Sequence, residues 1–122
     1  MYIPIRNLLR VGKKGMEITQ TGILGVSLQN KSESISIESD EQIEKIVKAL
    51  SSRTRRKILN HIQEEPMDVS NIAFNLKMTE ANISAQIKKL EDAGLISCDY
   101  TSGDHGVRKI SKLKFNRLII QF

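Results

Sequence analysis

Between residues 39 and 94, the apolar residues recur every three or four positions, which is the spacing of amphipathic helices. This pattern constrains the fold strongly, because each apolar stripe needs another surface to cover it. The first stripe consists of Ile43, Ile46, Val47 and Leu50. Ser39 and Gln42 stand where a capping box would begin a helix. The pattern therefore predicts a first helix that starts after Ser39.

Two further helices are bounded by residues that stop or start helical backbone. The second is predicted over residues 54–65, and Pro66 ends it because helical backbone is disfavoured before a proline. Its inward residues are Ile58, Leu59 and Ile62. The third helix follows Asp68, a favourable N-cap. Its stripe consists of Val69, Ile72, Ala73 and Leu76.

A fourth helix follows the third after a break at residues 77–79. It is predicted over residues 80–93, with Thr79 as its cap and Gly94 as a left-handed stop. Its inward residues are Ile83, Ile87 and Leu90. Two helices joined by so short a turn have the spacing of a helix-turn-helix motif.

Extended segments surround the helical region. Residues 95–101 and 107–113 flank a loop at 102–106 that contains two glycines, which predicts a β-hairpin, or wing. The apolar tail at residues 115–122 predicts another strand. Strands are also predicted near residues 17–19, 23–28 and 34–37, where β-branched residues alternate with Gly, Ser and Thr.

The predicted fold class is α+β, with four helices, a wing hairpin, and β segments at both ends. A chain of 122 residues suits one compact domain with a small addition and argues against a two-domain enzyme. We predict a winged helix-turn-helix domain over residues 41–113, a β-rich segment over residues 1–40, and a terminal strand over residues 114–122.

Composition narrows the class of partner and the compartment. The 19 Lys and Arg residues exceed the 14 Asp and Glu residues, and the net charge of +5 favours an anionic partner. Aromatic residues make up only 4% of the chain, which favours duplex DNA over nucleic acids bound by base stacking. The single Cys98 and the lack of an apolar run near the roughly 18 residues of a membrane span indicate a cytoplasmic protein without a membrane partner.

The fourth helix carries the candidate DNA-binding face. At about 100° per residue, the side opposite its inward stripe holds small, polar and cationic residues. Small residues allow close approach to a groove, Asn and Ser can bond to bases, and Lys can reach phosphates. Together with two wing cations, the predicted DNA-binding residues are Thr79, Asn82, Ser84, Ala85, Gln86, Lys88, Lys89, Arg108 and Lys109. The alternatives are an ordinary helix surface and a solvated edge strand protected by lysines.

A run of cations at residues 53–57 begins the second helix, where the helix dipole disfavours positive charge. Some interaction must compensate for it. A phosphate could do so, and so could the carboxylates of Glu41 or Glu44. The sequence leaves these open.

Residues 48–59, 69–76 and 83–96 resemble the winged helix-turn-helix of ArsR-type transcription regulators. The arrangement S-x-x-I-x-K-L-x-x-A-G-L-I, from Ser84 to Ile96, is moderately specific to winged helices. The family commonly has Pro where this chain has Arg53. The resemblance covers about residues 41–113 and implies a DNA-binding regulator.

Some members of that family sense metal ions, but residues 71–75 lack the usual cysteine pair. His61, His105 and Cys98 are widely separated in sequence, so we predict no metal and no cofactor. Two histidines also provide no catalytic constellation, and the glycines at positions 12, 15, 22 and 25 are better interpreted as turns than as a phosphate loop. We therefore predict that the chain is not an enzyme.

These observations together predict a sequence-specific, double-stranded-DNA-binding transcription regulator. A single winged helix offers few base contacts, so we expect a homodimer, held by the apolar strands outside the helical region. Those strands could instead form one sheet within a monomer. Two other functions remain open, namely a winged helix that binds proteins without DNA and a sensor with an effector pocket in the N-terminal segment.

Overall fold

The computed structural model describes residues 25–104 and 106–122, which form four helices and two three-stranded antiparallel sheets. The helices are α1 (Asp40–Leu50), α2 (Arg53–His61), α3 (Val69–Leu76) and α4 (Glu80–Asp92). The strands are β1 (Gly25–Gln29), β2 (Ser34–Ile37), β3 (Met67–Asp68), β4 (Ile96–Gly103), β5 (Gly106–Leu113) and β6 (Arg117–Gln121). One sheet has the order β2-β1-β6 and the other β3-β5-β4. The α+β winged-helix prediction is confirmed.

Each of the four helices begins at a side chain that accepts a hydrogen bond from the backbone three residues on. The caps are Ser39, Ser52, Asp68 and Thr79. Only half of the expected capping box forms on α1, because the Gln42 side chain does not return to Ser39. Its Nε2 donates to the carbonyl of Ala93 at 2.7 Å and so ties α1 to the end of α4.

All four helices contribute to one core. Its largest fully buried apolar residues are Ile46, Ile58, Ile62, Ile72, Ile83, Ile87, Leu90 and Ile96. The stripe predicted for α1 is wrong at one position, since Val47 is 50% exposed and the smaller Ala49 is buried. Leu59, predicted to face inward, is only half-buried.

The second helix is shorter than predicted. It ends at His61, with Ile62 as its C-cap, rather than at Pro66. The residues beyond it turn, so that Met67 and Asp68 can pair with Ser111 and Ile110 of β5. The pairing of β3 with β5 thus accounts for a second helix that ends before it reaches the proline.

The wing is longer than predicted. Its ladder extends to the pair Gly103 and Gly106, so the expected loop at residues 102–106 narrows to positions 104 and 105. Gly106 has φ +109°, a conformation that L side chains rarely adopt. Position 105 lies outside the described residues.

The N-terminal and C-terminal strands meet in one sheet within the chain. β1 pairs with β2 on one side and with β6 on the other. Leu28 of β1 and Phe115, just before β6, are buried in the helical core. The strand predicted at 34–37 is confirmed, those predicted at 23–28 and 115–122 are observed as β1 and β6, and the one predicted at 17–19 lies outside the described residues. The N-terminal and C-terminal strands thus pair within one chain, which was the alternative to pairing them between two chains across a two-fold axis.

Candidate nucleic-acid interface

The turn between α3 and α4 is closed by a left-handed residue. Lys77 has φ 57° and ψ 48°, and its N–H donates to the carbonyls at the end of α3. The N–H of Met78 then donates to the carbonyl of Ala73 at 3.0 Å, and Thr79 caps α4. The break predicted at residues 77–79 is thus observed, with helix-turn-helix geometry.

The buried stripe of α4 fixes which side of this helix faces solvent. Ile83, Ile87 and Leu90 are each 0% exposed. The opposite side presents Ala81, Asn82, Ser84, Ala85, Lys88 and Lys89, all of them exposed. We call these six residues the α4 face. It carries no large apolar side chain.

Gln86, at the border of the α4 face, is half-buried and joins two helices. Its Oε1 accepts from Nη1 of Arg55 at 2.7 Å, and its Nε2 donates to Oδ1 of Asn82 at 3.0 Å. Arg55 therefore holds Gln86, which holds Asn82. Of the predicted contacts, Asn82 is the one whose side chain this network orients, while Gln86 is turned toward the protein. Thr79 is exposed, with its hydroxyl used as the helix cap.

Two of the four cations at residues 53–57 are bound by backbone carbonyls. The guanidinium of Arg55 donates to Ala49 at 2.8 Å and to Lys48 at 2.9 Å, and that of Arg56 donates to Leu50 at 2.8 Å. These carbonyls form the end of α1, the negative end of its dipole. The carboxylate of Glu44 instead lies 3.7 Å from Lys48. The sequence analysis considered a phosphate or a carboxylate as the compensating group and did not consider backbone carbonyls.

Arg108 of the wing is bound to the start of α3. Its Nε and Nη2 lie 2.8 Å and 2.6 Å from Oδ2 of Asp68, whose Oδ1 accepts from the N–H of Asn71 at 2.8 Å. Burial alone would raise the pKa of Asp68, but the hydrogen bonds from Asn71 and Arg108 and the positive charge of Arg108 outweigh it. The pKa of Asp68 therefore lies below its ordinary value.

Lys109 is directed toward α4. Its Nζ lies 3.6 Å from Glu91 and 5.9 Å from the ring centre of Tyr100, and its side chain is only 24% exposed. Burial would lower the pKa of Lys109, but the charge interactions with Cys98, Glu91 and Tyr100 raise it above its ordinary value. Both predicted wing contacts are thus engaged within the chain. Sequence reasoning missed their partners, Asp68 and Glu91, which lie far from them along the chain.

In the part of the chain that the structure describes, no three His, Cys, Asp or Glu side chains lie together where they could hold a metal ion. Cys98 lies 3.5 Å from the hydroxyl of Ser111. Burial is the main cause that raises the pKa of the Cys98 thiol. None of the helices described is long and apolar enough to cross a membrane.

Residues 52–97 match the model of the bacterial regulatory protein, arsR family. The chain is 31% identical over 70 residues to an HTH-type transcriptional regulator of Methanocaldococcus jannaschii, a match that covers 57% of this chain and 74% of the relative. It is also similar to the crystal structure of an ArsR family transcriptional regulator, with 30% identity, a TM-score of 0.52, and coverage of 60% of this chain and 76% of that one.

A third similar protein is the homodimeric winged helix-turn-helix DNA-binding domain of a possible ArsR-family regulator from Mycobacterium bovis. That match has 24% identity, a TM-score of 0.54, and coverage of 65% of this chain and 75% of that one, and it supports the fold. Fold and interface together define a winged helix-turn-helix regulator of the kind that binds DNA. The chain belongs to the ArsR family of transcriptional regulators.

Proposed function

We propose that this protein regulates transcription by binding specific sequences of double-stranded DNA in the cytoplasm, without an enzymatic activity. The observation that carries the proposal is the α4 face, which is exposed, small and polar, and directly follows a helix-turn-helix turn. In this class of fold, the second helix of the motif enters the major groove.

The predicted residues divide into two roles on this proposal. Asn82 and Ser84 bond to base edges, and Ala85 lets the helix backbone approach the groove closely. Lys88 and Lys89 contact phosphates, which adds affinity without reading sequence. Lys88 also lies 3.7 Å from Asp92, but both side chains are largely exposed, so a phosphate can compete for the lysine. Thr79 stands at the end of α4 that faces the DNA.

The wing cations contribute mainly sequence-independent affinity. Only two of the three guanidinium nitrogens of Arg108 contact Asp68, and the side chain is 53% exposed, so further N–H donors remain available to a phosphate. Lys109 is held more closely and would have to exchange Glu91 for DNA. We therefore expect Arg108 to contribute more to DNA affinity than Lys109.

A homodimer would present two such helices to two half-sites about one DNA turn, roughly 34 Å, apart. Two observations support it. The M. bovis neighbour is described as homodimeric. In this chain Ile35 and Ile120 of the sheet β2-β1-β6 are 40% and 38% exposed, and Phe122, just after β6, is 85% exposed.

The proposal is tested by selecting bound fragments from random duplex DNA and then measuring the affinity for the selected duplex at several salt concentrations. We expect affinity to fall steeply with salt, because lysines that neutralise phosphates release counterions. If no duplex is bound at roughly 50 mM salt and micromolar protein, a protein-interaction module is the better assignment. The partly apolar surface at Phe74, which is 83% exposed, would then be the place to look for the partner.

The variant Ala85→Glu tests the α4 face directly. A carboxylate at this position would meet the phosphates of the groove, so we expect binding to fall at least about a hundredfold. Ala85→Gln controls for size, and Ser36→Glu places the same charge on β2, in the other sheet. Full affinity in Ala85→Glu would show that α4 points away from the DNA.

A further inference from the structure

A cavity of about 710 Å³ lies between α2, the base of the wing and β6. None of its lining residues belongs to α4, so it is separate from the DNA-binding face. Seven leucine and phenylalanine side chains line it, among them Leu59, Leu95, Leu113, Phe115 and Leu118. Small-molecule sites commonly occupy about 300–1,000 Å³ and have such an apolar lining.

The titratable groups that line the cavity are Arg56, Arg117 and Glu64. The guanidinium of Arg56 is anchored by one hydrogen bond, from its Nη1 to the carbonyl of Leu50 at 2.8 Å. The ion pairs found among the described residues include none of these three groups. The cavity thus offers two guanidinium groups against one carboxylate, beside an apolar lining.

We propose that this cavity binds a small organic acid, with an apolar body against the leucines and its carboxylate between Arg56 and Arg117. Guanidinium groups pair with carboxylates through two parallel hydrogen bonds, which selects an anion over a neutral molecule of the same shape. A highly charged ligand such as a polyphosphate is disfavoured, since the apolar lining would desolvate its charges without pairing them.

The cavity also reaches the connection between α4 and the wing. The N–H of Leu95 donates to the carbonyl of Leu90 at 3.1 Å, and the carbonyl of Leu95 accepts from the N–H of Lys114 at 3.2 Å. A bound acid would therefore contact the backbone segment that joins the recognition helix to the wing. The binding itself does not depend on the proposed DNA binding, so either one can fail alone.

The first experiment titrates the full chain with octanoate, octan-1-ol and octylammonium, followed by calorimetry and amide NMR shifts. These probes share one apolar body and differ in charge. Octanoate is expected to bind at least about tenfold more tightly than the other two, with the largest shifts at the lining residues. Equal binding of the three probes, shifts confined to residues 1–24, or no shift at about 10 mM octanoate would overturn the proposal.

The second experiment compares two arginine variants. Arg117→Gln removes an exposed cation from the cavity and should weaken octanoate about tenfold, while octan-1-ol binding stays unchanged. Arg53→Gln is the matched control, because it removes an exposed arginine from α2 that does not line the cavity. Asn60→Trp, at an exposed lining position, should block the probe by size. Equal octanoate affinity in Arg117→Gln and Arg53→Gln would count against the site.

Discussion

Asp68 shows how one side chain can serve two elements. One of its carboxylate oxygens caps α3 through Asn71, and the other binds the wing through Arg108. A helix cap alone needs only an acceptor, which Ser, Thr or Asn would also supply. The bond to Arg108 needs the negative charge. Asp68 thus couples the position of the wing to the start of the helix-turn-helix motif.

Asp68→Asn should separate these two roles. Asparagine caps helices about as well as aspartate, so α3 keeps its cap while the ion pair is lost. Because Arg108 is half-exposed, we expect a loss of only about 1 kcal/mol in the free energy of unfolding at pH 7. Urea unfolding of wild type and variant measures this difference in the free energy of unfolding. A loss several times larger would mean that the cap had failed as well.

The lowered pKa of Asp68 adds a pH dependence to the same comparison. The unfolded state takes up this proton more readily, so the stabilisation is fully present above the ordinary pKa of 3.8 and is lost as pH falls through the folded-state pKa. The stability difference between wild type and Asp68→Asn should therefore shrink below about pH 4. The same pH series on Arg108→Gln is the control, since Asp68 keeps its bond from Asn71 there but has lost Arg108, so the pH dependence should be smaller. A pH-independent difference would contradict the assignment.

At the scale of elements, signals between residues within one helical turn of each other were sufficient to predict four helices and the starts of three of them. Three predicted caps, the stripe of α4 and the break at residues 77–79 are all found in the structure. The errors at the end of α2 and at β3 have one physical origin. The end of α2 and the strand β3 depend on pairing with β5, more than forty residues away along the chain. The spacing of apolar residues along the sequence carries no information about strand pairing with so distant a segment.

The residues that end α3 and α4 both have positive φ, and substitutions at the two positions should change stability in opposite directions. Gly94 has φ +80°, whereas Lys77 adopts φ 57° with a side chain present. A Cβ at Gly94 would meet Nε2 of Gln42 at an ordinary 3.5 Å, so Gly94→Ala should cost about 1–2 kcal/mol through conformation alone. Lys77→Gly should stabilise the protein by about 1 kcal/mol for the same reason.

Thermal or urea unfolding of Gly94→Ala and Lys77→Gly measures both changes in stability. Lys77→Ala is the control, because it removes the side chain and its charge but keeps the strain. If Lys77→Gly stabilised no more than Lys77→Ala, the turn between α3 and α4 would not be strained. DNA affinity should be retained in Lys77→Gly, since the α4 face is unchanged.

At the scale of the whole molecule, the α4 face was predictable because one helix's buried stripe determines its opposite side. The environment of the wing was not predictable. Arg108 and Lys109 were chosen for their charge, but the fold brings Asp68 and Glu91 to them across different elements. The cavity was also beyond sequence reasoning, since its lining comes from β1, α1, α2, the wing and β6.

The sheet β2-β1-β6 connects the fold to the question of the dimer. Residues paired across an antiparallel ladder point to the same face, so Val26 shares a face with Ile37 and Ile120. Leu28 shares it with Ile35 and Leu118. On the central strand β1, Val26 and Leu28 are buried, and Leu28 belongs to the helical core. On the two edge strands of this face, Ile35 of β2 and Ile120 of β6 are partly exposed, and exposed apolar surface of this kind is typical of protein interfaces.

If the exposed apolar surface at Ile120 holds the homodimer, Ile120→Arg should yield a folded monomer, because a charge cannot be buried there without a partner. Gln121→Arg is the matched control, since it adds the same residue to the opposite face of the same strand. Light scattering at micromolar concentration should give two chains for the wild type and the control and one chain for Ile120→Arg. DNA affinity should fall in parallel, because a monomer occupies one half-site. A wild-type mass near one chain, or a dimer that survives Ile120→Arg, would place the association elsewhere or exclude it.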